Sequence, residues 1–536
     1  MCCSAGVVIR VTAMVKYASQ DNERGADMLR HPSAACGQSA LFEYQPNCIP
    51  DCPGWCIGPT VFERRDGSLC MIFTGGPAGS NEASAVKLYR SISRNGGKTW
   101  EKAAEFLAMD GYGLFNPVSI ITRAGTVLLF FNPYIYPHDE TVWIMRSNDG
   151  GDTWSKPLKL DTGYSCGGTR VNPIQLKSGR IVLPYYGMQP PADYDFENHF
   201  SGCLISDDDG LTWEKSGVMC WGRDQGACEP AVCELANGNL YCLMRTREGY
   251  KLESWSQDGG VTWSQPRLSP FRSPSSCSIL TRLKDGTLIH LLSNISSSDN
   301  LPRTFMDIAF SKDDGKTWQA RRLHAADYLI SNHSLIQLSD GTLLFAMASG
   351  NTIDVARFNT TWMETQAGET YLTPPTLSSL GARVTDVHTA SDITEQILDA
   401  QPSDLLAYTT QAFNDSGNPV PGIGIKPVAI QTKDGWGAIE VQLPHAMTLE
   451  GFEMLLAASM VKPGKYTFWA EGSADGQTFS RLMDEKHMGG HYLPGYYRNI
   501  WASHAWPNGQ NIKVLRINIK AGLNEPAIIA LRVLPR

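Results

Sequence analysis

The amino-acid sequence predicts an all-β protein: a six-bladed β-propeller followed by a C-terminal antiparallel β-sandwich of the jelly-roll type. Three observations lead to this fold class. An eight-residue turn motif recurs five times at near-even spacing, a pair of apolar strands joined by a glycine turn recurs six times, and both repeats stop after residue 362. A fixed period of about 50 residues that holds several strands is typical of propellers.

The turn motif reads S-x-D-x-G-x-T-W. Its copies run from Ser147 to Trp154, Ser206 to Trp213, Ser256 to Trp263 and Ser311 to Trp318, and a copy from Ser93 to Trp100 has Asn95 in place of the aspartate. In such a turn the aspartate accepts hydrogen bonds from the backbone, the glycine adopts a positive φ and the Thr-Trp pair begins the next strand. The motif is therefore a folding signal for a hairpin rather than a catalytic element.

The second repeat lies upstream of each turn. Its six copies are GPTVFERRDGSLCMIF, NPVSIITRAGTVLLFF, NPIQLKSGRIVLPYY, EPAVCELANGNLYCLM, SPSSCSILTRLKDGTLIHLL and NHSLIQLSDGTLLFAM. Each unit continues with a third strand, the turn motif and a fourth strand, so that four antiparallel strands form one blade. The sixth unit has no turn motif, and we expect residues 39–45 to supply its missing strand and close the ring.

The chain divides into three parts. Residues 1–36 form an N-terminal arm, residues 37–365 the propeller, and residues 366–536 a linker with the C-terminal β-sandwich. In the last part the repeat and the cysteines are absent, and alternating runs such as GAIEVQL, KVLRINIK and IIALRVL indicate antiparallel strands.

Composition and charge argue against several classes of protein. The 536 residues carry 46 Lys and Arg against 54 Asp and Glu, a formal net charge of −8, and no basic run, so we expect neither a nucleic-acid nor a membrane partner. No apolar run approaches the ~18 residues of a spanning helix. No zinc, calcium, phosphate-loop or dinucleotide motif is present, so no metal and no cofactor are expected. The sequence does not indicate an oligomeric state.

All fourteen cysteines lie at or before Cys277. Several fall inside predicted strands, where a free thiol behaves as a small buried apolar group. The N-terminal stretch MCCSAGVVIRVTAMVKY lacks the charged region of a secretory signal, so a reduced, cytoplasmic location is expected. Cys48, Cys52 and Cys56 are spaced C-x3-C-x3-C, which differs from the spacing of common zinc sites, and structural thiols are favoured over a metal site there.

The starts of the inner strands are where a site is expected. The first strand of each blade runs along the central channel, so its opening residue faces one common axial pocket, the hub. The six openings are Gly58-Pro59, Asn116-Pro117, Asn172-Pro173, Glu229-Pro230, Ser273-Pro274-Ser275 and Asn332-His333. An X-Pro pair alone only fixes an extended entry to a strand. The carboxylate of Glu229 and the imidazole of His333 point to chemistry, and Asn116 and Asn172 are candidates for substrate binding.

The five turns, the six blades and the strand openings together resemble the sialidase (neuraminidase) superfamily, whose repeated turn is called the Asp box or BNR repeat. The resemblance covers roughly residues 37–365. The C-terminal stretch YTFWAEGSADGQTFSRL is similar to discoidin-like or carbohydrate-binding jelly rolls that accompany such propellers. The resemblance implies an exo-acting glycoside hydrolase for a terminal sialic acid or related acidic sugar, with a glycan or glycoside as partner, although the fold alone does not fix the reaction.

In that superfamily three arginines bind the substrate carboxylate, and a tyrosine nucleophile activated by a glutamate works with an aspartate that serves as acid and base. By resemblance, Glu229 takes the place of the glutamate, Arg245 that of the second arginine and Arg303 that of the third. Bidentate contact from guanidinium to carboxylate is the geometry that an acidic sugar requires. Arg247 and Arg170 are further candidates for the same pocket.

Three positions depart from the superfamily. Ile57 stands where the first arginine is expected, and His333 stands at the strand start where the tyrosine is expected. No aspartate takes the place of the acid, for which Glu82 and Asp110 are the candidates. The departures put hydrolysis by the superfamily's covalent route in doubt.

The residues still allow a mechanism. If Glu229 is hydrogen-bonded to His333, it fixes the tautomer and raises the basicity of the imidazole, so that His333 can act as the general base for attack by water. With Glu82 or Asp110 as the acid, this route inverts the anomeric configuration. Tyr250 is a candidate to stack on the sugar ring. Two alternatives stay open: a non-catalytic carbohydrate-binding propeller, and a polysaccharide lyase with His333 as its base.

Overall fold

The structure is a computed structural model, and every statement below concerns the residues that it describes. These are residues 39–77, 85–135, 139–163, 166–188, 199–217, 219–221, 227–299, 302–325, 330–349, 352–365, 372–397, 428–457, 466–488, 500–520 and 526–536. The predicted N-terminal arm and Glu82 lie outside them. The described chain is all-β, as the sequence predicts, with six small antiparallel sheets and one large one.

Six blades follow one another along the chain, and each is a separate antiparallel sheet. Blade 1 contains β2 (Trp55–Glu63), β3 (Leu69–Gly76), β4 (Lys87–Ser93) and β5 (Ala104–Leu107). Blade 2 contains β6 (Gly113–Ile121), β7 (Val127–Ile135), β8 (Asp139–Glu140), β9 (Trp143–Ser147) and β10 (Leu158–Lys159). Blade 3 contains β11 (Cys166–Gly168), β12 (Ile174–Gln175), β13 (Ile181–Met188), β14 (His199–Ser206), β15 (Glu214–Lys215) and β16 (Cys220–Trp221).

Blade 4 contains β17 (Cys228–Glu234), β18 (Leu240–Arg245), β19 (Tyr250–Ser256) and β20 (Arg267–Arg272). Blade 5 contains β21 (Ile279–Arg282), β22 (Leu288–Leu292), β23 (Phe305–Ser311) and β24 (Gln319–Ala325). Blade 6 contains β25 (Ile330–Gln337), β26 (Leu343–Ser349), β27 (Thr352–Phe358) and β1 (Phe42–Gln45). The second strands, such as β3, are buried along their whole length because neighbouring blades cover both faces, which explains their continuous apolar sequences.

The ring closes by pairing the two ends of the propeller sequence. β1 pairs antiparallel with β27, from Phe42 opposite Phe358 to Gln45 opposite Val355. Asp354 stabilises this strand pair, because its carboxylate accepts hydrogen bonds from the Tyr44 hydroxyl and from the backbone N–H of Asn47, the latter at 2.9 Å. The prediction that residues 39–45 supply the last strand of blade 6 is thereby confirmed.

The repeated turn folds as its chemistry predicts. In the second copy the Ser147 hydroxyl donates to Asp149 at 2.7 Å, the Gly151 amide donates to Ser147 Oγ at 2.8 Å, and the Thr153 amide donates to Asp149 at 2.9 Å. In the third copy the same bonds from Thr212 help to lower the pKa of Asp208 to about 2. The hydrogen bonds of these carboxylates are made within the turn, so the carboxylates have a structural role.

The C-terminal unit is built around one ten-stranded antiparallel sheet. It follows helix α1 (Thr360–Thr365) and contains β28 (Arg383–Asp386), β29 (Ser391–Asp392), a 3-10 turn (Thr394–Gln396), β30 (Val428–Ala429), β31 (Thr432–Lys433), β32 (Trp436–Leu456), β33 (Tyr466–Ser473), β34 (Ser480–Arg481), β35 (Lys486–Met488), β36 (Ile500–Lys520) and β37 (Ala527–Pro535). The register of β32 against β36 shifts at two places. Residues from both halves of these long strands share one apolar core, as expected for a sandwich.

A buried ionic cluster joins the C-terminal unit to blade 4. Glu453 of β32 is fully buried and pairs with Arg272, which ends β20, and with Arg532 of β37 at 3.2 Å. Arg532 also donates a hydrogen bond to the Tyr250 hydroxyl at 2.9 Å. Trp501 of β36 packs against the ring of Tyr250 with centroids 6.0 Å apart. The two units therefore share polar contacts as well as an apolar cluster.

Within the described part of the chain, no helix has the length and the apolar character needed to cross a membrane.

Replacing Glu453 with glutamine should destabilise the whole protein, because two buried guanidinium groups lose their counter-charge. We expect the free energy of unfolding to fall by about 3–5 kcal/mol, as is usual when one partner of a buried ion pair is removed. The matched control is Glu440→Gln in the same strand, whose partner Arg516 is partly exposed and keeps Glu471; there the loss should be about 1 kcal/mol or less. Urea unfolding followed by tryptophan fluorescence measures both. Equal effects of the two substitutions would contradict this account.

Candidate active site

The inner strands meet at the hub, where a bulge interrupts most of them. β2 contacts β6 and β25, and β17 contacts β21, so the strand starts surround one axis. At Gly58, Asn116 and Glu229 two residues of the inner strand face one residue of its neighbour, and φ is 61°, 51° and 47°. In blade 6 one extra residue, Asn332, separates Ser331 from His333. Bulges re-aim side chains, and these occur where the sequence predicted the site.

Glu229 lies between two arginines from different blades. Its Oε1 is 2.8 Å from Nη1 of Arg245, which ends the neighbouring strand, and 3.6 Å from Nε of Arg170 in blade 3. Arg170 also pairs with Glu140 of blade 2, with 2.8 Å between Nη1 and Oε1. Glu140, Glu229 and Arg245 are buried. Charges of opposite sign therefore alternate from blade 2 to blade 4.

This environment keeps Glu229 ionised. Burial by itself raises the pKa of the carboxyl, but the charges of Arg245 and Arg170 outweigh it and lower the pKa to about 2. The second oxygen, Oε2, is buried and makes no hydrogen bond to a described residue. Glu229 thus carries a fixed negative charge, and one of its oxygens has no partner among the described residues.

Ser275 of blade 5 connects two of the predicted arginines. The Nε of Arg245 donates to the Ser275 hydroxyl at 3.0 Å, and Nη2 of Arg303 donates to the Ser275 carbonyl at 2.7 Å. Burial, together with the charge of Arg245, lowers the pKa of Arg303 to about 10, so Arg303 is still protonated at neutral pH. The structure places Arg170, Arg245 and Arg303 around Glu229, three guanidinium groups from three blades.

His333 lies within range of the same charges, but it does not bond to Glu229. Its two ring nitrogens are buried and make no hydrogen bond to any described residue. Burial and, to a smaller extent, the charges of Lys251 and Arg303 lower the pKa of His333 to about 3, and the charge of Glu229 opposes them only in part. The expected Glu229–His333 hydrogen bond and the expected gain in basicity are therefore corrected: Glu229 pairs with guanidinium groups, because they carry a full charge, and the imidazole is neutral and weakly basic.

The sequence did not single out Lys251. Its side chain is fully buried, and its ammonium group donates to the Ser276 carbonyl. Burial lowers the pKa of Lys251 to about 7. The only signal in the sequence was a lysine between Tyr250 and Leu252 in a predicted strand.

Glu140 and Tyr186 were also missed, because neither lies at a repeated position. The Tyr186 hydroxyl donates to Glu140 Oε2 at 2.9 Å, and Asn132 donates to Oε1 at 3.1 Å. Burial raises the pKa of Tyr186 well above its usual value. This cluster needs a glycine at residue 168, where a Cβ would lie 2.6 Å from Glu140 Oε1 and 2.9 Å from the Tyr186 oxygen.

Two residues that the sequence predicted to bind substrate instead support the fold. Asn172 lies in the interruption between β11 and β12, and its side-chain oxygen is 3.4 Å from both Thr60 Oγ1 and the Ser119 amide, so it links the first three blades. Tyr250 is fully buried against Trp501 and bonded to Arg532. It presents no face to a sugar, and this corrects the stacking role that the sequence suggested.

The remaining candidates differ in their burial. Asn116 is buried at its bulge, where its backbone N–H donates a hydrogen bond to Thr74 Oγ1 at 3.1 Å. Arg247 is half-buried in the turn after β18. Asp110 is exposed in the turn that enters β6, and Glu82 lies outside the described residues. Among the side chains that are described, no three His, Cys, Asp or Glu come together as a metal site.

His333 should stay neutral down to strongly acidic pH. We expect its imidazole to titrate with a midpoint near 3, as its pKa of about 3 indicates. In the unfolded chain a histidine titrates near 6.5, so the stability that His333 contributes is complete above about pH 6.5 and is lost as the pH falls toward 3. NMR of histidine-labelled protein, with His333→Asn to assign the signal, measures the midpoint. A midpoint above 6 would contradict the geometry.

Comparisons with known proteins agree with this architecture. A family model described as a BNR repeat-like domain matches residues 67–345. Mouse Sialidase-3 is 25% identical over 219 residues, which is 35% of this chain and 52% of that protein. Rat Sialidase-3 is 32% identical over 103 residues, which is 18% of this chain and 24% of that protein. The chain thus spans about half, or less, of the length of the curated relatives it matches.

Two solved structures show the same fold at low identity. The Hadza microbial sialidase Hz136 superposes with a TM-score of 0.51 and 18% identity, over 58% of this chain and 67% of that chain. A leech intramolecular trans-sialidase superposes with a TM-score of 0.50 and 13% identity, over 60% of this chain and 71% of that chain. The propeller of this chain is thus similar in fold to those of sialidases, and, because the family model covers more than half of the sequence, the chain belongs to the BNR repeat-like domain family.

Proposed function

We propose that this protein is a sialidase-like glycoside hydrolase that removes a terminal sialic acid or a related acidic sugar from a glycan. The observation that carries the proposal is the hub itself, where a buried ionised glutamate lies among three buried or largely buried arginines. The names of the sialidase relatives support the substrate class, and the low identity leaves the reaction to be argued from the residues.

The arginines fit a substrate that carries a carboxylate. Arg245 and Arg303 donate to the hydroxyl and to the carbonyl of Ser275, so one residue orients both guanidinium groups. Ile57 leaves blade 1 without the expected arginine, and Arg170 of blade 3 brings a third guanidinium to the same glutamate. Three guanidinium groups in a site shielded from water bind a carboxylate more strongly than three exposed ones.

Glu229 fits the stabilisation of positive charge. Cleavage of a glycosidic bond gives the anomeric carbon the character of an oxocarbenium ion, and a fixed carboxylate beside it lowers the energy of that state. Its pKa of about 2 makes Glu229 a poor proton acceptor but keeps its charge at any physiological pH. Tyr186 is a poor nucleophile, because its raised pKa keeps the phenol protonated and its hydroxyl donates a hydrogen bond to Glu140.

We therefore assign the attack to water. The water oxygen bonds to the anomeric carbon as the glycosidic C–O bond breaks, the leaving oxygen takes a proton from Asp110 or Glu82, and the proton of the water passes to solvent. His333 takes no proton in this route, because its ring nitrogens are buried and its imidazole is weakly basic. The product has inverted configuration.

The alternatives make different demands on His333. A lyase needs a strong base to remove a proton next to a carboxylate, and the low pKa of His333 argues against that role. A non-catalytic propeller that binds acidic sugars needs only the arginines, and the weak basicity of both Glu229 and His333 favours it as the second candidate.

Glu229→Gln should separate catalysis from binding. With fluorogenic glycosides, N-acetylneuraminate first and other keto-acid sugars next, we expect the wild type to release the fluorophore and the variant to lose at least ~100-fold in kcat/KM, since it lacks the charge that stabilises the transition state. Binding of N-acetylneuraminate, measured by calorimetry, should change by less than about threefold, because the arginines remain.

The matched control is Glu253→Gln in blade 4, a buried glutamate that pairs with Arg267 on the outer strand. Its kcat/KM should stay within about twofold of the wild type. Full activity of Glu229→Gln would refute the assigned role. Binding without turnover of any glycoside would establish the non-catalytic propeller instead, and a product that absorbs ultraviolet light as an unsaturated uronate would establish a lyase.

A further inference from the structure

A serine-rich loop of blade 5, residues 293–299, is buried although its composition is that of a surface loop. It directly follows β22, in the connection between β22 and β23, and its sequence is SNISSSD. Residues 293–298 have relative exposures of 4% or less. Buried polar backbone requires partners, because an unpaired buried amide or carbonyl is costly. The position of this loop therefore depends on whatever satisfies its polar groups.

Its outer side is bonded to the C-terminal unit. The Ser298 amide donates to the Trp501 carbonyl at 3.0 Å, and the Trp501 amide donates to Ser298 Oγ at 3.0 Å. The Ser296 amide donates to Glu453 Oε1 at 2.8 Å. Ile295 packs in an apolar cluster with Ala505 and Leu534 of the same unit. Two strands of the C-terminal unit, β32 and β36, thus hold the loop by hydrogen bonds.

Its inner side is bonded to the segment that holds the hub arginines. The Ser275 amide donates to the Asp299 carbonyl at 2.8 Å, and the Ser297 amide donates to the Ser273 carbonyl at 3.4 Å. Ser275 in turn accepts the hydrogen bonds of Arg245 and Arg303. The path from Trp501 to these two arginines contains only three residues, Ser298, Asp299 and Ser275.

A second contact acts on the same segment. Arg272, the residue before Ser273, pairs with Glu453 of the C-terminal unit. Gly249 lies under the Trp501 ring, where a Cβ would come within 2.4 Å of Trp501 Cδ1, and its carbonyl accepts the Ser273 amide at 2.9 Å. Residues 272–275 are thus tied to the C-terminal unit from both ends.

We propose that the C-terminal unit is a working part of the hub site: through Ser298, a positioning residue, it sets the positions of Ser275, Arg245 and Arg303. The consequence for the substrate rests on the proposed function, whereas the coupling between the units does not. In this account the C-terminal unit orients the groups that bind the substrate carboxylate, and removing one hydrogen bond at Trp501 loosens a segment in the propeller.

The experiment compares Ser298→Ala with Ser296→Ala in the full-length chain. The first removes the oxygen that accepts the Trp501 amide. The second is a matched control in the same loop, because the Ser296 hydroxyl is buried but makes no hydrogen bond to a described residue. Hydrogen–deuterium exchange of the peptide over residues 273–277 should rise in Ser298→Ala and stay at the wild-type level in Ser296→Ala. Exchange in β7 of blade 2 should be unchanged in both, which excludes general destabilisation.

With the substrate found in the glycoside panel, Ser298→Ala should raise KM about 3- to 10-fold and leave kcat within about twofold, since carboxylate binding is a uniform binding term. Exchange at residues 273–277 equal to that of the wild type, or an equal rise in both variants, would overturn the positioning role. Because exchange needs no substrate, a protein that cleaves and binds no acidic sugar but shows the rise would refute the proposed function and keep this inference.

Discussion

Closing the ring is the constraint on which the rest of this molecule depends. β1 and β27 come from opposite ends of the propeller sequence, and Asp354 locks them by accepting hydrogen bonds from Tyr44 and Asn47. Once these ends are paired, six inner strands must share one axis, and residues that lie far apart in the chain have to meet there. An open arc would expose a strand edge and would leave the hub charges in water, where guanidinium and carboxylate attract each other only weakly.

Because the closed ring buries charges, the hub has to pair them. Glu140, Arg170, Glu229 and Arg245 alternate in sign across three blades, and each removes part of the cost of burying the next. The pairing has a chemical consequence. It lowers the pKa of Glu229, while burial lowers that of His333, so both groups are weak bases. Such a site binds negative charge and stabilises developing positive charge better than it removes protons, which suits departure of a sugar more than abstraction of a proton.

The sequence was most informative where the signal is local. The turn around Asp149 folds through bonds that span four residues, so its motif predicts its structure. The repeat also predicted that Glu229 would face the hub. It could not predict the partner of Glu229, because that choice depends on competition at the axis, where the charged Arg170 prevails over the neutral His333. The prediction that Tyr250 stacks on a sugar was wrong for a related reason. Contacts between the two units do not follow the sequence repeat, so nothing in the sequence of blade 4 showed that the Tyr250 ring packs against the C-terminal sheet.

The buried loop of residues 293–299 shows how far the two units depend on each other. A run of Ser, Asn and Asp normally remains at the surface, because water satisfies its polar groups. Here partners from the C-terminal unit replace that water: the Ser298 amide donates to the Trp501 carbonyl, and the Ser298 hydroxyl accepts from the Trp501 amide. An accessory module on a linker would keep its polar contacts within itself and leave the propeller complete. In this chain the C-terminal unit supplies hydrogen-bond partners to a buried loop of the propeller. The sequence divides the chain into two units, but the residues that support the hub come from both of them.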